Sequence, residues 1–159
     1  MAALLLLLPL AAMRFTEEVD WTAGDFAFAA LLIGGVGAAF EGAIRASRSR
    51  AYHLGAALAL GAAALTVWAN GAVGMIGAPD NPLNIMFAGV LAIALLGAVL
   101  ARFEPRGLAR AMTMAAIAQL SASAIGLSAD IRGGIVSGLL AGIWLLSARS
   151  FRNAASVSA

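Results

Sequence analysis

The sequence predicts an all-α integral membrane bundle with five to six transmembrane helices, built as a single membrane domain over residues 1–159. The first observation is composition: 62% of the residues are hydrophobic and only 11% are charged, whereas a soluble domain typically carries about 25% charged residues. The second observation is that the charges fall in short gaps between long apolar runs. Water could not cover so much apolar surface without aggregation, so the predicted solvent of this chain is lipid.

Six apolar stretches account for the predicted helices. They cover about residues 2–14, 23–44, 51–76, 82–101, 108–129 and 132–148. A spanning helix needs about 20 apolar residues at a rise of about 1.5 Å each. The five later stretches reach or approach that length, whereas the first is too short to span comfortably.

Short polar motifs mark the ends of these helices. Thr22 and Asp25 form a variant of the capping box, in which the side chains satisfy free amides of the first turn. The run Asp80, Asn81 and Pro82 predicts a start for the third long helix in which an Asp or Asn cap is followed by Pro at the first helical position. The run of residues 104–107 contains Pro and Gly and separates the third long helix from the fourth.

The charges of the gaps predict the orientation, because basic loops of multi-pass proteins remain cytoplasmic. Eight of the ten arginines then lie inside, on loops and the C-terminal tail: Arg45, Arg48, Arg50, Arg102, Arg106, Arg110, Arg149 and Arg152. Arg14 and Arg132 lie outside. The predicted location is therefore the inner membrane of the cell, with the C-terminus cytoplasmic. The first stretch has three interpretations: a signal segment, an interfacial segment, or a sixth helix with its N-terminus inside, which we prefer.

Three polar residues within the predicted spans are candidate membrane sites: Glu41, Asn70 and Gln119. A carboxylate at membrane depth is costly and suggests transfer of a proton or cation. The preferred alternative for Glu41 is an ion pair with Arg45, four residues later on the same helix face. Amides in hydrocarbon need partners, so Asn70 and Gln119 predict interhelical hydrogen bonds, and the alternative is a polar pore or a cavity for a small ligand. Asn70 is expected about 9 Å inside the outer end of its helix.

Small residues recur at helical spacing in two places. The candidate packing face of the last helix consists of Gly134, Gly138 and Gly142. Such a face allows two helix backbones to approach closely, either between copies of the chain or, as we prefer, within one chain. A similar stripe on the first long helix consists of Gly34, Gly35, Ala38 and Gly42.

The first outer gap combines acidic residues with a tryptophan. Its acidic cluster consists of Glu17, Glu18, Asp20 and Asp25. The spacing lacks the Asp, Asn and Gly pattern of a calcium loop, which favours a solvated loop. Trp21, in this gap, and Trp144, on the last helix, are predicted at the membrane interfaces, where tryptophan is enriched.

Several function classes lack their motifs in this sequence. There is no cysteine and a single histidine, His53, so no disulfide, metal site or cofactor is predicted. GxSxG, Walker A and HExxH motifs are absent, and no nucleophile with a base can be assembled. The basic residues interact with lipid headgroups in this interpretation rather than with nucleic acid. The sequence therefore predicts that the protein is not an enzyme and that its principal partner is the lipid bilayer.

Two runs carry a resemblance to known proteins and cover about a quarter of the 159 residues. They extend from Leu4 to Phe26, with Pro9, Phe15 and Thr16 among the matching positions, and from Trp68 to Asn84. These runs resemble an uncharacterised family of small bacterial multi-pass integral membrane proteins. The resemblance implies that the N-terminal segment belongs to the mature protein and that Glu18 and Trp21 are the preferred targets for mutation. It implies no activity, cofactor or catalytic residue.

The functional hypothesis is a non-enzymatic membrane protein that packs with itself, as a homo-oligomer, or with a larger membrane complex. The glycine stripes and the lack of a charged pathway support it. The alternative is a small transporter or channel with a polar path near Gln119, Asn70 and Glu41, which requires these three side chains to face one shared cavity. A lipid-directed enzyme is the third and least favoured hypothesis.

Overall fold

The computed structural model describes residues 2–15 and 20–157 of the chain, and over these ranges it contains helices and no strand. The elements are α1 (Ala2–Phe15), α2 (Ala23–Ala46), α3 (Arg50–Ala72), a short 3-10 helix (Pro82–Asn84), α4 (Ile85–Leu100), α5 (Pro105–Gly126) and α6 (Ile131–Val157). Five of the described helices are long and apolar enough to cross a membrane, with the 3-10 helix and α4 counted as one segment. The predicted all-α membrane bundle is confirmed.

Four helices form the core of the bundle. The most extensive packing is between α5 and α6, α6 also packs on α3, and α5 also packs on α4. Phe87 of α4 and Trp144 of α6 are among the largest fully buried side chains of the described residues. α2 lies outside this core against α3, with α1 beside it. Among its described side chains α2 buries only that of Ala29, so most of its surface faces away from the bundle.

The gaps that carry most of the arginines meet at one end of the bundle, here called the arginine end. The Tyr52 hydroxyl, near the start of α3, donates a hydrogen bond to the backbone carbonyl of Phe103 in the turn between α4 and α5 (3.0 Å). The ring of Tyr52 also packs edge to face against Phe151 near the end of α6, with 5.2 Å between ring centroids. These contacts bring the α2–α3 turn, the α4–α5 turn and the end of α6 together.

The remaining gaps meet at the other end, here called the acidic end. Trp21, just before α2, packs against Trp68 in the last part of α3 with 5.5 Å between ring centroids. The backbone N–H of Gly77, in the loop between α3 and α4, donates to the Asp130 carboxylate at the start of α6 (3.0 Å). The alternation of charged gaps along the sequence is therefore an alternation between the two ends of the structure.

The predicted helix starts at Thr22 and before Pro82 are confirmed, and Asn81 rather than Asp80 supplies the second cap. The backbone N–H of Thr22 donates to the Asp25 carboxylate (2.7 Å), and the Asp25 N–H donates to the Thr22 hydroxyl (3.3 Å), which completes the capping box. The Asn81 side-chain oxygen accepts from the N–H of Leu83 (3.0 Å), and Pro82 occupies the first position of the 3-10 helix.

The predicted extent of the second long helix, to residue 76, is wrong, because α3 ends at Ala72. Gly74 adopts a positive φ of 78°, and a Cβ at this position would lie 2.7 Å from the Ala78 carbonyl. Beyond that glycine the chain turns inward, and Met75 and Ile76 are buried in the core cluster. Met75 and Ile76 were predicted as helix, but in the structure they cover one end of the bundle core.

The last helix is longer than predicted, since α6 continues to Val157 rather than ending at residue 148. Phe151 and Ala154 are buried, at 2% and 1% exposure. These two residues are three positions apart, which is the spacing of one face of a helix. The basic tail is therefore a helical continuation of α6 that packs on the bundle. α5 also begins earlier than predicted, at Pro105 rather than at residue 108.

Candidate functional site

Glu41 lies on the outer surface of α2. Its carboxylate accepts a hydrogen bond from the Arg45 side chain (3.0 Å), one turn further along the same helix. Both side chains are largely exposed, at 56% for Glu41 and 77% for Arg45. The preferred interpretation of Glu41 as half of a local ion pair is the one observed in the structure.

Gln119 is fully buried between α5 and α6. Its side-chain amide donates to both the backbone carbonyl (3.1 Å) and the hydroxyl (3.0 Å) of Ser137. One turn further along α5, the Ser123 hydroxyl donates to the carbonyl of Gly134 (2.6 Å). Hydrogen bonds of this kind contribute about 0.6 kcal/mol each on average between helices in membranes. Together they fix the register of α5 against α6.

Asn70 lies in the last turn of α3, and not deep in the span, because the helix ends two residues later. Its amide donates to the backbone carbonyl of Asn84 (3.2 Å). The Asn84 side chain in turn donates to the Ala78 carbonyl (2.9 Å) and accepts from the N–H of Ile76 (2.9 Å). The two asparagines therefore hold the loop between α3 and α4 in its inward-turned conformation. Sequence reasoning missed Asn84, because its role depends on how this loop folds back.

The structure gives the three candidate polar residues three different environments. Glu41 pairs within α2, Asn70 bonds to the 3-10 helix, and Gln119 bonds to α6. The hydrogen bonds connect none of the three to another. A shared polar path through these residues consequently has no support from their contacts.

The glycine face of α6 packs mostly within the chain. A Cβ added to Gly134 would lie 2.8 Å from Leu127, and one added to Gly138 would lie 3.0 Å from the Ser123 hydroxyl. Leu127 directly follows α5 and Ser123 lies in its last turn, so both glycines allow close approach of that end of α5. A Cβ added to Gly142 meets nothing within 4 Å among the described residues.

The small-residue stripe of α2 has a different environment. A Cβ added at Gly34, Gly35 or Gly42 would meet no atom of the described residues within 4 Å. Gly37, in the same part of the helix, is equally open. This open surface is called the α2 glycine face below, and it consists of Gly34, Gly35, Ala38 and Gly42.

The prediction that Trp144 lies at a membrane interface is wrong. This residue is only 1% exposed and belongs to the core cluster. Because α6 extends to Val157, Trp144 lies near the middle of the helix rather than close to its end. Trp21 lies at the acidic end, where it packs against Phe26 and Trp68.

The acidic residues before and after the spans have separate roles. Glu17 and Glu18 of the predicted outer cluster lie outside the described residues, whereas Asp25 belongs to the capping box. Asp130 accepts from the N–H groups of Gly77 and Arg132, at 3.0 Å each. The Gly77 N–H, followed by that of Gly133, lowers the pKa of Asp130 below its ordinary value of 3.8. Asp130 is therefore a charged anchor for the loop between α3 and α4.

A crevice at the arginine end is a site that sequence reasoning missed. It has a volume of about 810 Å³ and lies between α5 and α6, with Arg106, Arg110 and Arg152 in its lining. Sequence reasoning used these arginines only to predict orientation. The spacing of four between Arg106 and Arg110 was a usable signal. The position of Arg152 beside these two residues could not be predicted, because Arg152 belongs to the part of α6 that was predicted as a tail.

Comparison with known proteins gives no relative for this chain. No protein-family model matches it, and neither a curated protein nor a solved structure does.

Proposed function

We propose that the protein is a non-enzymatic, multi-pass protein of the inner membrane that assembles with itself or with a larger membrane complex. The observation that carries this proposal is the open α2 glycine face on a helix that buries little of its own surface. In the same proposal the arginine end is cytoplasmic. Two observations support this orientation. The α2–α3 turn, the α4–α5 turn and the end of α6 lie together at one end of the bundle, and they carry most of the arginines, which favour the cytoplasmic side.

The α2 glycine face has the spacing that close helix pairs use. Gly34, Ala38 and Gly42 follow one another at intervals of four residues, so they lie in one stripe along the helix. Each glycine lowers helix stability by about 1 kcal/mol relative to alanine. Backbone approach by another helix offsets that cost through van der Waals contact, which is a principal source of helix association in lipid.

The sequence offered two glycine stripes for assembly, on α2 and on α6, and contacts within the chain were preferred for the stripe on α6. Gly134 and Gly138 of α6 already contact α5, and only Gly142 of that face remains open. We therefore assign the intermolecular contact to α2 rather than to α6. Transport forms no part of the proposal, because the hydrogen bonds of Glu41, Asn70 and Gln119 lead to separate elements.

The test is native mass spectrometry of the full chain released from nanodiscs, with the wild type compared with three variants. The double variant Gly34→Leu/Gly42→Leu is expected to lower the oligomeric fraction or to release a co-purified subunit. Gly89→Leu on α4 is the matched control, because Gly89 is also open on a helix surface. Gly142→Leu tests the α6 alternative. A wild type that is monomeric and without a partner would refute the proposal, and loss of assembly only in Gly142→Leu would move the contact to α6.

A further inference from the structure

Three arginines line one crevice at the arginine end, and none of them forms an ion pair with a described residue. Arg106 and Arg110 come from the first two turns of α5, and Arg152 comes from the last part of α6. All three line the crevice of about 810 Å³. Within residues 2–15 and 20–157, the one ion pair is that of Glu41 and Arg45 on α2, so no described carboxylate neutralises these arginines. The crevice therefore carries three formal positive charges that no described ion pair compensates, and its volume leaves room for an anion.

The hydroxyl groups of the crevice have other functions. Thr113 donates to the backbone carbonyl of Ala109 (2.8 Å), and Ser156 donates to that of Asn153 (2.9 Å). Both hydroxyl protons are thus used within their own helices. Recognition in this crevice consequently depends on the guanidinium groups, whose planar donor pairs match the oxygens of a phosphate.

Beyond the crevice, α5 carries exposed apolar side chains toward the middle of the bundle. Met114 lines the crevice, and Ile117 and Leu120 follow on α5 at intervals of three residues. Their exposed fractions are 54%, 51% and 49%, so these three side chains are available to acyl chains. The remaining wall of the crevice is also mostly apolar, with Ala109 and Ala155 in its lining. A ligand that fills both parts has an anionic head and a hydrocarbon tail.

We propose that the crevice between α5 and α6 binds the phosphate-bearing headgroup of an anionic phospholipid, with an acyl chain along Met114, Ile117 and Leu120. This inference rests on the cytoplasmic orientation proposed above for the arginine end, because basic pockets between membrane helices on that side suit such headgroups and that leaflet contains anionic lipids. A free phosphate has no hydrocarbon to place against these exposed apolar side chains, and a nucleotide has no acyl chain. Contact with these side chains is what distinguishes the lipid from a soluble anion.

The experiment counts lipids bound to the purified full chain by native mass spectrometry after exchange into phosphatidylglycerol or phosphatidylcholine. The wild type is expected to retain phosphatidylglycerol and to lose phosphatidylcholine at the same collision energy in the mass spectrometer. The variant Arg106→Gln/Arg110→Gln/Arg152→Gln is expected to bind phosphatidylglycerol more weakly, on the order of 100-fold for three cationic contacts. If the wild type retained the two lipids equally, that measurement alone would overturn the proposal.

The matched control removes three arginines of the same end that do not line the crevice, in the variant Arg48→Gln/Arg50→Gln/Arg149→Gln. Both triple variants lose the same formal charge, so a general electrostatic attraction to anionic lipid would weaken equally in both. Circular dichroism and size-exclusion profiles verify that each variant is folded. The proposal requires the crevice variant alone to lose the lipid, and an equal loss in both variants would overturn it.

A second arm distinguishes a lipid from a soluble anion. Inorganic phosphate is added in excess to the wild type loaded with phosphatidylglycerol, at constant ionic strength because salt screens such contacts. The bound lipid is expected to remain. Displacement of the lipid by inorganic phosphate would assign the crevice to a soluble anion and overturn the proposal.

Discussion

The carboxylate of Asp130 accepts a hydrogen bond from the backbone N–H of Gly77, although 53 positions separate the two residues (3.0 Å). Gly77 has a positive φ of 65° in the loop between α3 and α4, and Asp130 lies just before α6. The contact closes the acidic end of the bundle. It also joins the inward-turned segment that contains Ile76 to the turn between α5 and α6.

The first prediction concerns the pH dependence of this contact. The N–H of Gly77, with that of Gly133, lowers the pKa of Asp130 below 3.8 in the folded state. The ionised carboxylate therefore stabilises the fold above the unfolded pKa, and this contribution is lost as the pH falls from about 5 through the folded pKa. Asp130→Asn is expected to lower the thermal midpoint at pH 7 and to flatten its decline under acid conditions, measured by unfolding in detergent.

Asp80→Asn is the control for that measurement. Asp80 is exposed in the same loop and has no hydrogen bond or ion pair among the described residues. Its substitution is expected to leave the thermal midpoint and its pH profile unchanged. The interpretation of Asp130 as an anchor would be wrong if the two variants behaved alike.

The second prediction concerns Gln119, which donates two hydrogen bonds to Ser137 while its side-chain oxygen has no partner among the described residues. Gln119→Leu removes the hydrogen bonds but also removes an unpaired buried acceptor, so the expected loss of stability is at most about 1 kcal/mol. Gln119→Glu places a carboxyl group in the same buried site, and it is expected to be more destabilising than Gln119→Leu because a buried charge needs a partner. Unfolding in mixed detergent would compare the two, and the reverse order would contradict the hydrogen-bonding role.

The third prediction contrasts two glycines of α4. A Cβ at Gly97 would lie 2.6 Å from the Cβ of Ala111 on α5, whereas a Cβ at Gly89 would meet no described atom within 4 Å. Gly97→Ala is expected to destabilise the bundle by about 1–3 kcal/mol because it overpacks the interface of α4 with α5. Gly89→Ala is expected to be neutral or to stabilise by up to about 1 kcal/mol through helix propensity. Equal unfolding free energies for the two variants would contradict this packing.

Features that depend on a few neighbouring residues were predictable. Thr22 and Asp25 form the predicted capping box, and Glu41 pairs with Arg45 one turn away. Local spacing decides these contacts, because residues three or four apart lie on the same side of a helix turn. The partner of Asn70 could not be predicted in this way, because Asn84 reaches it only when the loop after Ala72 turns inward.

The glycines illustrate the limit of sequence reasoning most directly. The α6 face and the α2 glycine face look alike in the sequence, yet Gly134 and Gly138 contact α5 while Gly34 and Gly42 are open. All of these helices are apolar, so hydrophobicity does not select which pairs associate in lipid. The choice depends on the fit of complete surfaces, which the spacing of small residues does not reveal.

The sequence by itself determined the class of the protein, the number of long helices, several helix starts and the alternation of charged gaps. These features follow from the length of apolar runs and from contacts within one turn of helix. Only the tertiary structure decided that Trp144 is buried, that Ile76 closes the acidic end, and that Arg152 meets Arg106 and Arg110 at one crevice. Those outcomes depend on side chains from different helices, and their contacts exist only after the helices have packed.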